Sequence, residues 1–153
     1  MPLDQTMTLD SVPQRGYATN LASEFYVLSA LYRLGLDANL TLGNKKGVDI
    51  VVACGPGRAF TIEVKAVAGK NDWLVGKLGI DPREHHFVVL VCYEGAFDNP
   101  AELPRVWVFH HDEIVPYIRS SKTGSARYIS RKQIREDAIQ QSENWQILRE
   151  SAI

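Results

Sequence analysis

Two rhythms of apolar and polar residues run through this chain. Leu21, Phe25, Leu28 and Tyr32 recur every three or four positions, which predicts a helix that Asn20 can cap and Gly35 can stop. Glu24 lies three residues after Leu21 and four before Leu28, so a carboxylate falls on or beside the apolar stripe. The rhythm then changes to strands. A short one is expected over residues 39–42, followed by a polar turn over 43–47. Two more, over 48–53 and 59–67, are joined by Cys54-Gly55-Pro56-Gly57-Arg58, a strong turn signal that makes them a hairpin. Within residues 86–93 the unbroken Phe87-Val88-Val89-Leu90-Val91 predicts a central strand buried on both faces, with helices over it. A further strand is expected over 106–109 and a helical turn, interrupted by Pro116, over 112–119. Ser130 caps a final helix, with Gln133 at the capping-box position and Ile134, Ala138, Trp145 and Leu148 as packing residues. The order describes an α/β protein with a mixed central β-sheet flanked by helices, and no internal repeat.

The start of the chain breaks this pattern. Pro2 and Pro13 stand among polar residues without periodicity, so residues 1–18 are expected to form a flexible arm ahead of a single domain over 19–153. No apolar run reaches the roughly 20 residues of a membrane span, and no basic start leads into an apolar stretch as in a signal peptide, which predicts a soluble cytoplasmic protein with no membrane partner. Cys54 and Cys92 lie within or at the end of apolar runs and lack a CxxC partner, which suits thiols better than a disulfide framework or a zinc site.

A net charge of −1 argues against a general polyanion binder, but the charge is segregated. Residues 43–83 carry seven Lys and Arg against four Asp and Glu, and residues 118–153 carry the same excess, whereas residues 84–117 hold six acids and one Arg. This pattern permits a local phosphate-facing surface, and fits equally well with solvated faces.

Candidate chemistry follows from counting across the hairpin. If the turn centres on Pro56, Asp49 faces Glu63, and Lys65, two residues on, shares their side of the sheet while Ile62, Val64 and Ala66 turn to the apolar side. Opposed carboxylates repel, and a divalent cation held by Asp49, Glu63 and the Val64 carbonyl would offset that repulsion, since Mg²⁺ prefers oxygen ligands completed by water and phosphates. Such an ion can polarise a phosphodiester and acidify a bound water; Lys65 could orient that water or neutralise the transition state, and Glu24 could bind a second metal or a metal-bound water. A slip of one residue in the hairpin would place Asp49 and Glu63 on opposite faces and dissolve the site.

Gly47-Val48-Asp49-Ile50, the Gly-Pro-Gly turn and Ile62-Glu63-Val64-Lys65 together resemble the PD-(D/E)XK nuclease superfamily, and the Glu24 helix resembles the Glu-bearing first helix of Holliday-junction resolvases and many other members. The resemblance covers about residues 20–109, and Val48 stands where the family name has proline. It implies a restriction-endonuclease-like fold, Mg²⁺ or Mn²⁺ dependence, and Asp49, Glu63 and Lys65 as the catalytic core with Glu24 beside them. The function expected is endonucleolytic hydrolysis of DNA by a homodimer or higher homo-oligomer, with RNA as another substrate class. The rival is a non-catalytic nucleic-acid-binding or immunity-like protein-binding module that reuses the fold.

Other features have two readings. Asn44, Lys45 and Lys46, just before Asp49, could touch a nucleic-acid backbone or form a solvated turn. Trp73 could stack on a base, with Lys70 and Lys77 on phosphates, or pack in the core. His85-His86 and His110-His111-Asp112 resemble metal pairs, but neighbours on a strand point to opposite sides, which makes them ordinary strand-end histidines. Ala68-Gly69-Lys70 lacks the first glycine and the hydroxyl residue of a phosphate loop, so nucleotide binding there is rejected.

Overall fold

A computed structural model describes residues 12–42, 47–76 and 78–153, and the side chains from residue 16 onward. The expected turn residues Asn44, Lys45 and Lys46, and also Lys77, lie outside the described residues.

The first helix, α1 (Val12–Arg33), begins eight residues before the expected cap, so residues 12–18 belong to it and Asn20 sits on its exposed surface. Pro13 is no obstacle in the first turn, where the missing N–H would have no helical partner. The buried face also differs from the expected stripe: Thr19, Ser23, Val27 and Leu31 point inward at intervals of four, whereas Phe25 and Tyr32 are more than half exposed. Ser23 Oγ donates to the Thr19 carbonyl at 2.7 Å, so a small polar pair lines the inner face without an unsatisfied hydroxyl. Gly35 closes the helix at φ +79°, and Leu36 N donates to the Leu31 carbonyl as in a Schellman cap.

Strands β1 (Asp37–Leu40), β2 (Ile50–Gly55), β3 (Arg58–Val67), β4 (Trp73–Leu74), β5 (His86–Cys92) and β6 (Arg105–His110) follow. Five of them form one sheet in the order β1-β2-β3-β5-β6, antiparallel except for the parallel pair β3 and β5. The hairpin has the expected register, with Ile50 opposite Ile62 and Val52 opposite Phe60, until an irregularity at Cys54 next to the turn. All seven residues of β5 are buried, as an unbroken apolar strand between two covered faces requires.

Helix residues pack on both of those faces, and the second carries a small sheet as well. On the first, α1 packs Val27 and Leu31 against Ile50, Val52, Ile62, Val89 and Val108. Over the second lies a three-stranded sheet, β4-β8-β7, built with β7 (Ile118–Ser120) and β8 (Arg127–Ile129); it buries Trp73 and Ile129 against Val88, Leu90 and Phe109. Its strands of two and three residues are too short to show a period-two signal in the sequence. Between the sheets, the short α2 (His111–Ile114) and a 3-10 turn over Val115–Tyr117 occupy the expected helical stretch.

The expected final helix is two. Ser130 Oγ accepts from Gln133 N and caps α3 (Arg131–Asp137), while the Gln133 side chain accepts from Arg119 instead of returning to the cap. After a 3-10 turn the chain bridges Ser142 to Trp107 on the outer strand β6, then forms α4 (Gln146–Ser151). Ile134 and Ala138 therefore pack on one face of the large sheet and Leu148 on the other. Rounding the sheet edge needs a break that one continuous helix could not provide. Cys54 and Cys92 are free thiols, half-buried and buried. No described helix is long and apolar enough to cross a membrane.

Candidate active site

The β2–β3 pairing ends at Ile50 and Ile62, and what happens just past that end creates the site. Val64 N, beyond the last paired residue, donates instead to Asp49 Oδ2 at 2.6 Å, which fixes the carboxylate at the fork between the strands. Asp49 N in turn donates to the Ile62 carbonyl, and Thr41 N to the Asp49 carbonyl, so the backbone of Asp49 is held from both sides. Gly47, two residues earlier, has φ +71°, a conformation that glycine adopts at little cost.

Glu63 and Lys65 project from β3 on one side while Ile62 and Val64 fill the α1 core, as strand alternation requires. Glu24 approaches from α1. Together with Asn20, Gly47, Val64, Ala66, Leu74 and Arg83, these four line a cleft of about 440 Å³. Sequence reasoning named Glu24, Asp49, Glu63, Val64 and Lys65, and the chain brings all five to this cleft.

The charges within it are unequal. Glu63 is almost wholly buried, with Oε1 3.0 Å from Lys65 Nζ and Oε2 3.8 Å from His86 Nε2. Burial, the largest influence, favours the neutral acid, but His86 and Lys65 outweigh it and hold Glu63 below the usual carboxylate range. Glu24 and Asp49 go the other way. Burial, then repulsion from Asp49 and a hydrogen bond shared with it, pushes Glu24 up to about 7. Burial also raises Asp49, helped by Glu63 and opposed by the Val64 amide and Lys65.

That crowding predicts an inverted pH response. An acid whose proton is held more tightly folded than unfolded stabilises the fold at low pH, and that contribution is lost as pH rises from about 4.5 through about 7. Glu24 is partly exposed, so screening reduces the effect to about 1 kcal/mol. In metal-free buffer, wild type should lose stability across this window relative to Glu24→Gln. Thermal unfolding from pH 4.5 to 8 measures it, and parallel profiles for the two proteins would refute it.

The chemistry of these acids is that of oxygen ligands for a hard cation. Glu63 Oε2 is buried with no hydrogen-bond partner, and two neighbouring carboxyls are pushed toward their neutral forms. Among the described residues, however, no group of three or more His, Cys, Asp and Glu side chains is arranged to hold a metal ion: Glu24 leans on Asp49, and Glu63 on Lys65. The donor set suits an ion that keeps several waters.

Sequence reasoning missed His86, Arg83 and Asn20. His86 pairs with Thr61 across β3 and β5, and its Nδ1 lies 2.7 Å from Thr61 Oγ1, so its ring sits behind Glu63. Only the parallel register could reveal this. His111 is also buried, 5.4 Å from the His86 ring, and its Nε2 lies 2.9 Å from the Asp81 carbonyl. The expected stacking role of Trp73 is corrected: the ring is fully buried, packs edge-on against Trp107 and donates from Nε1 to the Val91 carbonyl, leaving no face for a base. Lys70 is exposed in the loop after β3 and does not line the cleft.

No protein-family model matches the chain, and no curated protein matches its sequence. Among solved structures it is similar to that of a bacterial homing endonuclease, I-Ssp6803I, with a TM-score of 0.55 and 13% identity over 88% of this chain and 93% of that one. The mixed sheet with its flanking helices is a restriction-endonuclease-like fold shared with a nuclease.

Proposed function

We propose that this chain is a metal-dependent endonuclease that hydrolyses phosphodiester bonds in DNA. The observation that supports this best is the convergence of Glu24, Asp49, Glu63 and Lys65 on one cleft at the end of the hairpin, in a fold that a homing endonuclease also uses. Asp49, Glu63 and the Val64 carbonyl, with Glu24 alongside, would hold Mg²⁺ or Mn²⁺, which when bound polarises the phosphodiester and acidifies water. The remaining work belongs to the protein. Glu63, kept anionic, supplies fixed negative charge, and the Lys65 ammonium beside it faces the charge that develops on the phosphoryl oxygens. Glu24, titrating near neutrality, can take or return a proton at its carboxyl. Cutting a duplex needs two such sites, which a homodimer provides.

Incubation of the purified protein with plasmid, branched and single-stranded DNA in Mg²⁺ and Mn²⁺ tests the reading. Cleavage that disappears with chelator and in Asp49→Ala is expected. Cleavage of none of the three substrates, or cleavage surviving Asp49→Ala, overturns it; recovery of a protein partner without divalent-metal binding would indicate the non-catalytic module instead.

A further inference from the structure

We infer that Arg83 is the residue of this cleft that grips the phosphodiester, an inference that rests on the nuclease reading above. Two described cations line the cavity, and they are differently engaged. Lys65 is committed to Glu63 at 3.0 Å. Among the described residues Arg83 makes no hydrogen bond and no ion pair, although it is half-buried in a cleft that holds three carboxyl groups.

The guanidinium occupies a slot made by two glycines. A Cβ at Gly79 would lie 3.0 Å from Arg83 Nη2 and 3.5 Å from Cζ, and a Cβ at Gly47 would lie 3.5 Å from Nη1. Gly47 is also the residue that leads the chain into Asp49, so the same turn that places the acid leaves room for the cation. The loop bearing Arg83 is anchored on both sides of the slot. Leu78 is fully buried, and the Asp81 carbonyl lies 2.9 Å from the buried His111 ring.

A planar guanidinium offers several N–H donors in a fixed fork that matches two oxygens of a phosphate, whereas an ammonium acts as a point charge. Held by its loop and not spent on a protein carboxylate, Arg83 has its donors available for non-bridging oxygens. A substrate phosphate bound there sits between the Arg83 fork and the acids, which places the scissile bond at Asp49 and Glu63. Arg83 thus acts as a binding and orienting group distinct from the Glu63–Lys65 pair.

The test uses the full chain, with plasmid cleavage under single turnover and, independently of activity, binding of the dinucleotide TpT measured by isothermal titration calorimetry on wild type and each variant. Arg83→Ala should weaken TpT binding and lower cleavage by about 10²-fold, Arg83→Lys should recover only part of both, and Gly79→Ala should weaken both with the charge retained. Lys122→Ala, which removes an exposed charge elsewhere, is the control and should match wild type. Active protein whose cleavage and TpT binding are unchanged in folded Arg83→Ala overturns the inference and leaves the nuclease reading standing. If wild type cleaves nothing, loss of TpT binding in Arg83→Ala still supports the phosphate site, and wild-type TpT binding that ignores the substitution, or no binding at all, ends it.

Discussion

Glu63→Gln is expected to lower the single-turnover DNA cleavage rate by about 10³-fold while leaving a folded protein. The substitution keeps the shape of the side chain and removes its charge. Glu63 is the acid of the cleft held below the usual carboxylate range, because Lys65 and His86 together outweigh the effect of burial. It is therefore the most dependable source of negative charge where the proposed chemistry needs it. Burial shifts its neighbours Glu24 and Asp49 in the opposite direction. Lys65→Ala should also reduce the rate, and with less effect on stability than its distance to Glu63 suggests, since the Lys65 side chain is a quarter exposed and water can take over part of its role. Circular dichroism establishes that each variant is folded before rates are compared. A Glu63→Gln rate within threefold of wild type would remove Glu63 from the proposed mechanism.

The largest loss of stability is expected from Trp73→Ala, at about 3–5 kcal/mol. The indole is fully enclosed between the two sheets, meets Trp107 edge-on at 5.7 Å, and its Nε1–H satisfies the Val91 carbonyl of the central strand. Truncation leaves a ring-sized cavity and removes the hydrogen bond from Nε1 to the Val91 carbonyl. Trp73→Phe retains most of the buried area and should cost much less. Denaturant unfolding of the three proteins gives the comparison, and a loss below 1 kcal/mol for Trp73→Ala would contradict the packing described. DNA affinity measured on folded Trp73→Phe should equal that of wild type, because no part of the ring reaches the surface; a marked drop would restore the stacking role.

The hairpin shows how far local chemistry reaches. Gly55-Pro56-Gly57 sets the turn, and apolar residues on one side of β3 fix the register, because a slip would expose Ile62 and bury Lys65. The shared side of Glu63 and Lys65 is a property of a period of two and was legible in the sequence, whereas the expected pairing of Asp49 with Glu63 lies just past the last paired residues, Ile50 and Ile62, where Asp49 accepts from the Val64 amide instead. The continuous run of β5 announced a strand covered on both faces for the same reason: nothing polar interrupts it.

Helix α1 marks a limit of that reading. Phe25 and Tyr32 are larger and more apolar than Thr19 and Ser23, yet the helix buries the small polar pair, since close approach to β3 favours small side chains whose hydroxyl is satisfied within the helix. The rotation of the helix about its axis, and with it the reach of Glu24 to Asp49, was settled by packing against the sheet. Trp73 was equally ambiguous until the second sheet enclosed it.

The sequence by itself determined the elements whose signal is local: the hairpin and its register, the buried strand, the Gly35 stop, the Ser130 cap, and the acids and lysine that the hairpin presents. Tertiary structure alone decided what depends on residues distant in the chain meeting. The parallel pairing of β3 with β5 sets His86 behind Glu63, the loop between β4 and β5 brings Arg83 into the cleft, and the turn around β6 divides the C-terminal residues between two cores. Side-chain periodicity records which face of its own element a residue occupies, and it holds no record of which other element that face will meet.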